Sequence, residues 1–85
     1  MKIGVAGSLE SNDALITVKE GDGINVTVKS IVYDFFHTQI EKVICDTLAE
    51  KNVKNITVIC EDKGALDYTI RARLITALAR MEGAE

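Results

Sequence analysis

The chain has 85 residues, 47% of them hydrophobic; that makes one domain which, burying roughly 60–65% of its unfolded surface, is too small to enclose a deep substrate cleft unaided. A formal charge of −3 and a pI near 5.1 argue against a nucleic-acid partner, because phosphate binding draws on clustered Lys and Arg, and leave proteins or small molecules as expected partners. No apolar run approaches the ~20 residues that cross a bilayer, and Glu10 and Asp13 interrupt the N-terminal apolar stretch too soon for a signal peptide, so the chain is expected to be cytoplasmic.

Strand signals fill the first third. Ile3 and Val5 begin an apolar stretch that Gly7 loosens, Leu15 to Val18 is aliphatic, and Ile24, Val26 and Val28 alternate with Asn25, Thr27 and Lys29 at the period of two expected of a strand. Ser11-Asn12-Asp13 supplies side chains that bond back to their own backbone, and Gly21-Asp22-Gly23 supplies residues that tolerate positive φ. Both are expected to be hairpin connections. From Ser30 the period turns helical, with Val32, Phe36, Ile40, Val43, Ile44 and Leu48 on one stripe and Asp34, Glu41, Lys42 and Glu50 facing away. Ser30 is the expected N-cap, and Asn52 the left-handed residue that ends this helix. Ile56, Val58 and Cys60 alternate with Thr57 and Ile59 in a strand expected to be interior to the sheet and covered on both faces. After a turn at Asp62-Lys63-Gly64, Leu66, Ile70, Leu74, Leu78 and Met81 mark a second helix of ~16 residues, about 24 Å long, ended by Gly83. The order β-β-β-α-β-α, without repeats or a linker, predicts one α+β domain over residues 1–85. It is a two-layer α/β sandwich, with both helices on one face of a mixed or antiparallel sheet.

The groups that carry chemistry are few. His37 is the single histidine and reads as a surface or boundary residue. Cys45 and Cys60 have neither Cys-x-x-Cys spacing nor a basic neighbour, so reduced, structural cysteines packed in the core are expected rather than a disulfide, a zinc site or a nucleophile. Gly4-x-x-Gly7 and Gly21-x-Gly23 match neither the dinucleotide fingerprint nor the phosphate loop. Arg71, Arg73 and Arg80 give the last helix a basic component, with Asp67 one turn ahead of Arg71 at the spacing of an ion pair. They are either a solvated face or contacts for a phosphate-bearing ligand or an acidic partner. Ser11 lacks a base to make it a nucleophile, but it is small, in a turn, and free of bulky neighbours, so an external transferase can reach it.

Two segments carry a family resemblance: Ala6-Gly7-Ser8-Leu9-Glu10-Ser11-Asn12-Asp13, and Asp62-Lys63-Gly64-Ala65-Leu66-Asp67 running on to Arg71-Ala72-Arg73-Leu74. Together they resemble the acyl carrier protein of citrate lyase, its gamma subunit, in the Gly-Thr/Ser-Leu-Glu-Ser attachment segment and in the Asp-Lys-Gly-Ala-Leu-Asp segment followed by Arg-Ala-Arg. The resemblance implies a carrier that is not itself catalytic. In the family the second serine of the attachment segment, here Ser11, bears 2'-(5''-phosphoribosyl)-3'-dephospho-CoA through a phosphodiester, and Ser8 is the fallback position. It also implies a prosthetic-group transferase, an alpha subunit that exchanges acetyl for citryl on the group's thiol, and a beta subunit that cleaves citryl to oxaloacetate and restores acetyl. Arg71 and Arg73 stay as candidate partner or phosphate contacts. The rival expectations are a carrier for citramalate lyase or malonate decarboxylase, a protein-interaction module with no prosthetic group, and, weakest, an independent small enzyme.

Overall fold

A computed structural model describes residues 2–30 and 33–83, and of residues 33–36 the backbone alone. The elements run β1 (Ile3–Gly7), β2 (Ala14–Glu20), β3 (Ile24–Ser30), α1 (Tyr33–Glu50), β4 (Ile56–Asp62) and α2 (Asp67–Met81), the order the sequence predicts. The four strands form one mixed sheet in the order β1-β2-β4-β3, antiparallel except for the parallel pair β3 and β4.

β2 and β4 are strictly alternating: Ala14, Ile16 and Val18 on one, and Ile56, Val58 and Cys60 on the other, are buried while the residues between them are half-exposed. The pairing Ile16↔Cys60↔Val28 sets these side chains in rows on one face. Onto that face α2 packs across β1 and β2 and α1 across β3, and the helices touch each other. Ile40, Ile44 and Leu48 from α1 and Ile70, Leu74, Ala77 and Leu78 from α2 complete the core. Ile40, Ile44 and Leu48 recur every four residues, and Ile70 and Leu74 are followed at the next turn by the adjacent pair Ala77 and Leu78, so one helical stripe of each meets the sheet.

Three expectations change. Gly21-Asp22-Gly23 is not a hairpin, because β4 lies between β2 and β3. The Gly23 carbonyl accepts from the Ile56 amide at 2.9 Å, and the Gly23 amide donates to Asn55 Oδ1 at 3.1 Å, so the connection steps over the start of β4. The physical reason is the crossover through α1, which lays β4 parallel and adjacent to β3 and gives its alternating apolar residues the most buried place in the sheet. β4 is therefore interior, as expected, but covered on one face only: Thr57, Ile59 and Glu61 share an open face with Ile3, Val5, Leu15 and Thr17. Leu66 stands at the N-cap of α2 and is 58% exposed, so the buried stripe begins at Ile70.

Asn52 has φ 57 and Gly83 φ 78, each left-handed just past a helix, as expected. The expected positions Val32, Phe36 and Asp34, and the capping of α1 from Ser30, fall on or beside residues 31–36 and lie outside the described residues. Ser30 itself closes β3 and donates to Asp62 Oδ2 at 2.8 Å.

Candidate functional site

The loop between β1 and β2 is built around two side chains, Asp13 and Asn12. The Asp13 amide donates to the Glu10 carbonyl at 3.1 Å, closing a four-residue turn with Ser11 and Asn12 at its corners. Asn12 has φ 66, and positive φ at the second corner alone is the pattern of a type II turn, where Asn is tolerated because its short amide relieves the usual penalty. Next to the turn two residues face one across the strands: the Asn12 amide donates to the Lys63 carbonyl at 2.8 Å, and the Lys63 amide to the Asp13 carbonyl at 2.9 Å. This is the arrangement of a β-bulge, which re-aims the strand end it interrupts. The turn is thereby tied to the segment that leads from β4 into α2.

Asp13 ties the loop to the helix layer. Arg73 of α2 grips its carboxylate with both arms, Nε to Oδ1 and Nη2 to Oδ2, each at 3.0 Å. Ser8 Oγ donates to Oδ2 at 2.7 Å, and the Ala14 amide to Oδ1 at 2.7 Å. Every donor favours the ionised form, the Arg73 bonds most, then Ser8, then Ala14, and together they hold the Asp13 carboxyl down to about 2. The carboxylate in turn raises the Arg73 pKa above its ordinary value. A buried aspartate braces the other side of the site: Asp62 accepts from Ser30 Oγ and, at 2.8 Å, from the Ala65 amide, fixing the turn that contains Lys63.

Within this frame the two serines differ. Ser8 is half-buried, and its hydroxyl donates to Asp13 while accepting from the Glu10 amide at 3.3 Å. Ser11 is exposed at the first corner, and among the described residues its hydroxyl has no hydrogen-bond partner. The backbone on either side of Ser11 is held by bonds at Glu10, Asn12 and Asp13, and the Ser11 side chain stands exposed between them.

The other candidates are placed as follows. Arg73 is engaged by Asp13, and Arg71 forms a pair with Glu50 of α1, at 2.8 and 3.0 Å, while Asp67 accepts from Gln39 Nε2 instead of pairing one turn along its own helix. Arg80 reaches the Val5 carbonyl at 2.8 Å, on the edge strand β1. His37 is half-buried and faces Glu41 at 3.2 Å, one turn along α1, a partner spacing the sequence reading passed over. Cys60 is buried, its thiol pushed up to about 12 by burial, then by the Asp62 and Glu61 charges, and is inert packing as expected. Cys45 is exposed, contrary to the core position expected of it, because it lies on the solvent side of α1 next to buried Ile44. Among the described residues no group of His, Cys, Asp and Glu is arranged to hold a metal ion, and no helix is long and apolar enough to cross a membrane. One apolar cavity of about 590 Å³, lined by Val53, Ile56, Ile75, Leu78 and Met81, opens beside the start of β4, at the far end of that strand from Lys63 and the Ser11 turn.

Missed in the sequence was the part of Asp13, which reads there as one more turn residue. The contact to Arg73 spans 60 positions, and no local pattern announces it.

A family model described as malonate decarboxylase delta subunit (MdcD), of acyl carrier protein type, matches residues 1–81. A citrate lyase acyl carrier protein of Halothermothrix orenii is 46% identical over 82 residues, 94% of this chain and 87% of the relative. One of Streptococcus mutans is 53% identical over 78 residues, covering 89% and 76%. A crystal structure of a Pseudomonas malonate decarboxylase hetero-tetramer in complex with malonate contains a chain of the same fold, with a TM-score of 0.82 at 15% identity over 94% of this chain and 84% of that one. By sequence over nearly its whole length, the chain belongs to the acyl carrier protein family that includes the malonate decarboxylase delta subunit and the citrate lyase acyl carrier proteins.

Proposed function

We infer that this chain is the acyl carrier subunit of a citrate lyase and that Ser11 is the point at which its prosthetic group, 2'-(5''-phosphoribosyl)-3'-dephospho-CoA, is attached through a phosphodiester. The observation that carries the assignment is the contrast between the serines: Ser8 is bound into the Asp13 cluster, whereas Ser11 is exposed and its hydroxyl is unengaged among the described residues. The residues present fit such a group, since a phosphodiester on Ser11 would leave every bond that shapes the turn in place, while one on Ser8 would break the bond to Asp13. When bound, the group supplies the thiol that carries acyl groups. The chain's own part is to anchor and present it. The Asp13–Arg73 fork and the bonds to Lys63 fix where the arm begins, and an arm held at one end meets each partner site at an effective concentration that can be millimolar. Neither cysteine has a part in this, which agrees with the burial of Cys60.

The expected partners are the alpha acyl-transferase and beta lyase subunits and the transferase that attaches the group, in the cytoplasm. Identities of 46% and 53% to citrate lyase carriers favour citrate. The family description and the shared fold support a carrier of malonate decarboxylase as the second reading, and rescue of a strain lacking one or the other carrier separates the two. Attachment is tested by intact mass after co-production with the transferase: wild type and Ser8→Ala should gain the group, and Ser11→Ala should not. An adduct retained in Ser11→Ala would overturn the assignment.

A further inference from the structure

We propose that Lys63 is the side chain that receives the phosphodiester on Ser11, a positioning residue that orients the start of the carrier arm. The inference rests on the attachment reading above and follows from which cations near the turn are already engaged. Arg73 gives Nε and Nη2 to Asp13, Arg71 is paired with Glu50, and Arg80 is turned to the Val5 carbonyl at the outer edge of the sheet. Lys2 pairs with Glu82 and Lys42 with Asp46. Lys63 alone among the lysines exchanges backbone hydrogen bonds with the anchor turn, to Asn12 and to Asp13. Its side chain is half-exposed and, among the described residues, forms no ion pair.

Geometry and charge agree. Facing residues of antiparallel strands have Cα atoms about 5 Å apart, and a lysine ammonium on its flexible four-carbon stem covers that span, which brings the residue beside Asn12, Ser11, within range. The neighbours on the turn are acidic. Glu10 precedes Ser11, and Asp13 follows Asn12 with its charge matched by Arg73. A phosphodiester added at Ser11 therefore meets one neutralised carboxylate and one exposed carboxylate, and Lys63 is the cation held close enough to offset it. Lys63 sits in a braced segment, since Asp62 bonds to Ser30 and Ala65 on either side of it, so its starting point is fixed although its stem is flexible. This moves the phosphate contact expected of Arg71 and Arg73 to the residue opposite the turn.

The test uses the full chain with and without the group, each form first checked by intact mass. The side-chain resonances of isotopically labelled lysines are compared between the two forms, and the phosphodiester phosphorus resonance of the modified protein, distinct from those of the group's diphosphate, is followed as salt is raised from about 0.05 to 0.5 M, which shortens the screening length several-fold. Lys63 should show the largest change of any lysine on modification, reversed by salt. Lys63→Gln should lose the salt-dependent movement of the phosphorus resonance, Lys63→Arg should keep it, and Arg71→Gln should not affect it. A modified protein in which Lys63 does not respond, or in which Lys63→Gln keeps the salt dependence, overturns the inference and leaves the attachment reading standing. A protein that gains no mass at Ser11 overturns both.

Discussion

The carboxylate of Asp13 accepts from Arg73, Ser8 and the Ala14 amide together, so its ionisation is tied to the shape of the turn. Its pKa is depressed to about 2 from an ordinary value of 3.8, so the stability it contributes is complete above about pH 4 and is lost as pH falls toward 2. Asp13→Asn should therefore lower the melting temperature at neutral pH and flatten the loss of stability between about pH 4 and 2; an acid limb identical to wild type, read by thermal melts across that range, would contradict the account. Asp13→Asn and Arg73→Gln should also be non-additive when combined, since each removes the same fork. The cysteines give a simpler check. A thiol reagent at pH 8 should label Cys45 and spare Cys60 in the native protein, and label both after unfolding, because Cys60 is buried with its thiol held protonated. Of this cluster the sequence showed Ser11, Ser8 and the turn, because turn chemistry is local. It left Arg73 as part of a solvated face or as a contact for an outside anion, and the pair with Asp13 was not legible because it depends on how α2 settles on the sheet.

Among the elements, β1 and α2 depend on one absent side chain. A Cβ on Gly4 would run into the Ala77 carbonyl of α2 and come within 2.6 Å of the Met81 amide, so the strand and helix approach closely only because residue 4 is glycine. Gly4→Ala should cost about 1–3 kcal/mol in urea unfolding, the range for overpacking a tight contact, with a loss under half that size showing that the helix can shift. The same contact sets which face of β1 turns inward. Its large residues Ile3 and Val5 are 53% and 41% exposed, while Gly4 and Ala6 face the helix. The helices were legible from their period and stop signals, Ile40, Ile44 and Leu48 on one and Ile70, Leu74 and Leu78 on the other, with Asn52 and Gly83 just past their ends. Leu66 fits the period of the second stripe, but a residue at the N-cap precedes the first turn and escapes the core.

For the molecule as a whole, the two-layer order could be read from the alternation of periods, but strand order could not. Placing β4 between β2 and β3 is a property of the crossover through α1 and of which strand is most apolar on its inner face, and a turn as hairpin-like as Gly21-Asp22-Gly23 points the other way. One shared core joins all six elements, so the turn should lose its shape only when the domain does. Leu74→Ala, at the centre of that core, should cost about 2–5 kcal/mol while probes of the Ser11 turn and of overall helicity still report one transition; separate transitions would mean that the turn is held independently of the fold. The central claim, that this fold exists to present Ser11 as an anchor, is tested most directly by digesting the co-produced, modified protein with trypsin and fragmenting the peptide that runs from Ile3 to Lys19, which holds both serines of the loop. The prosthetic group should localise to Ser11, and its localisation to Ser8, or its absence from this peptide, would contradict the account.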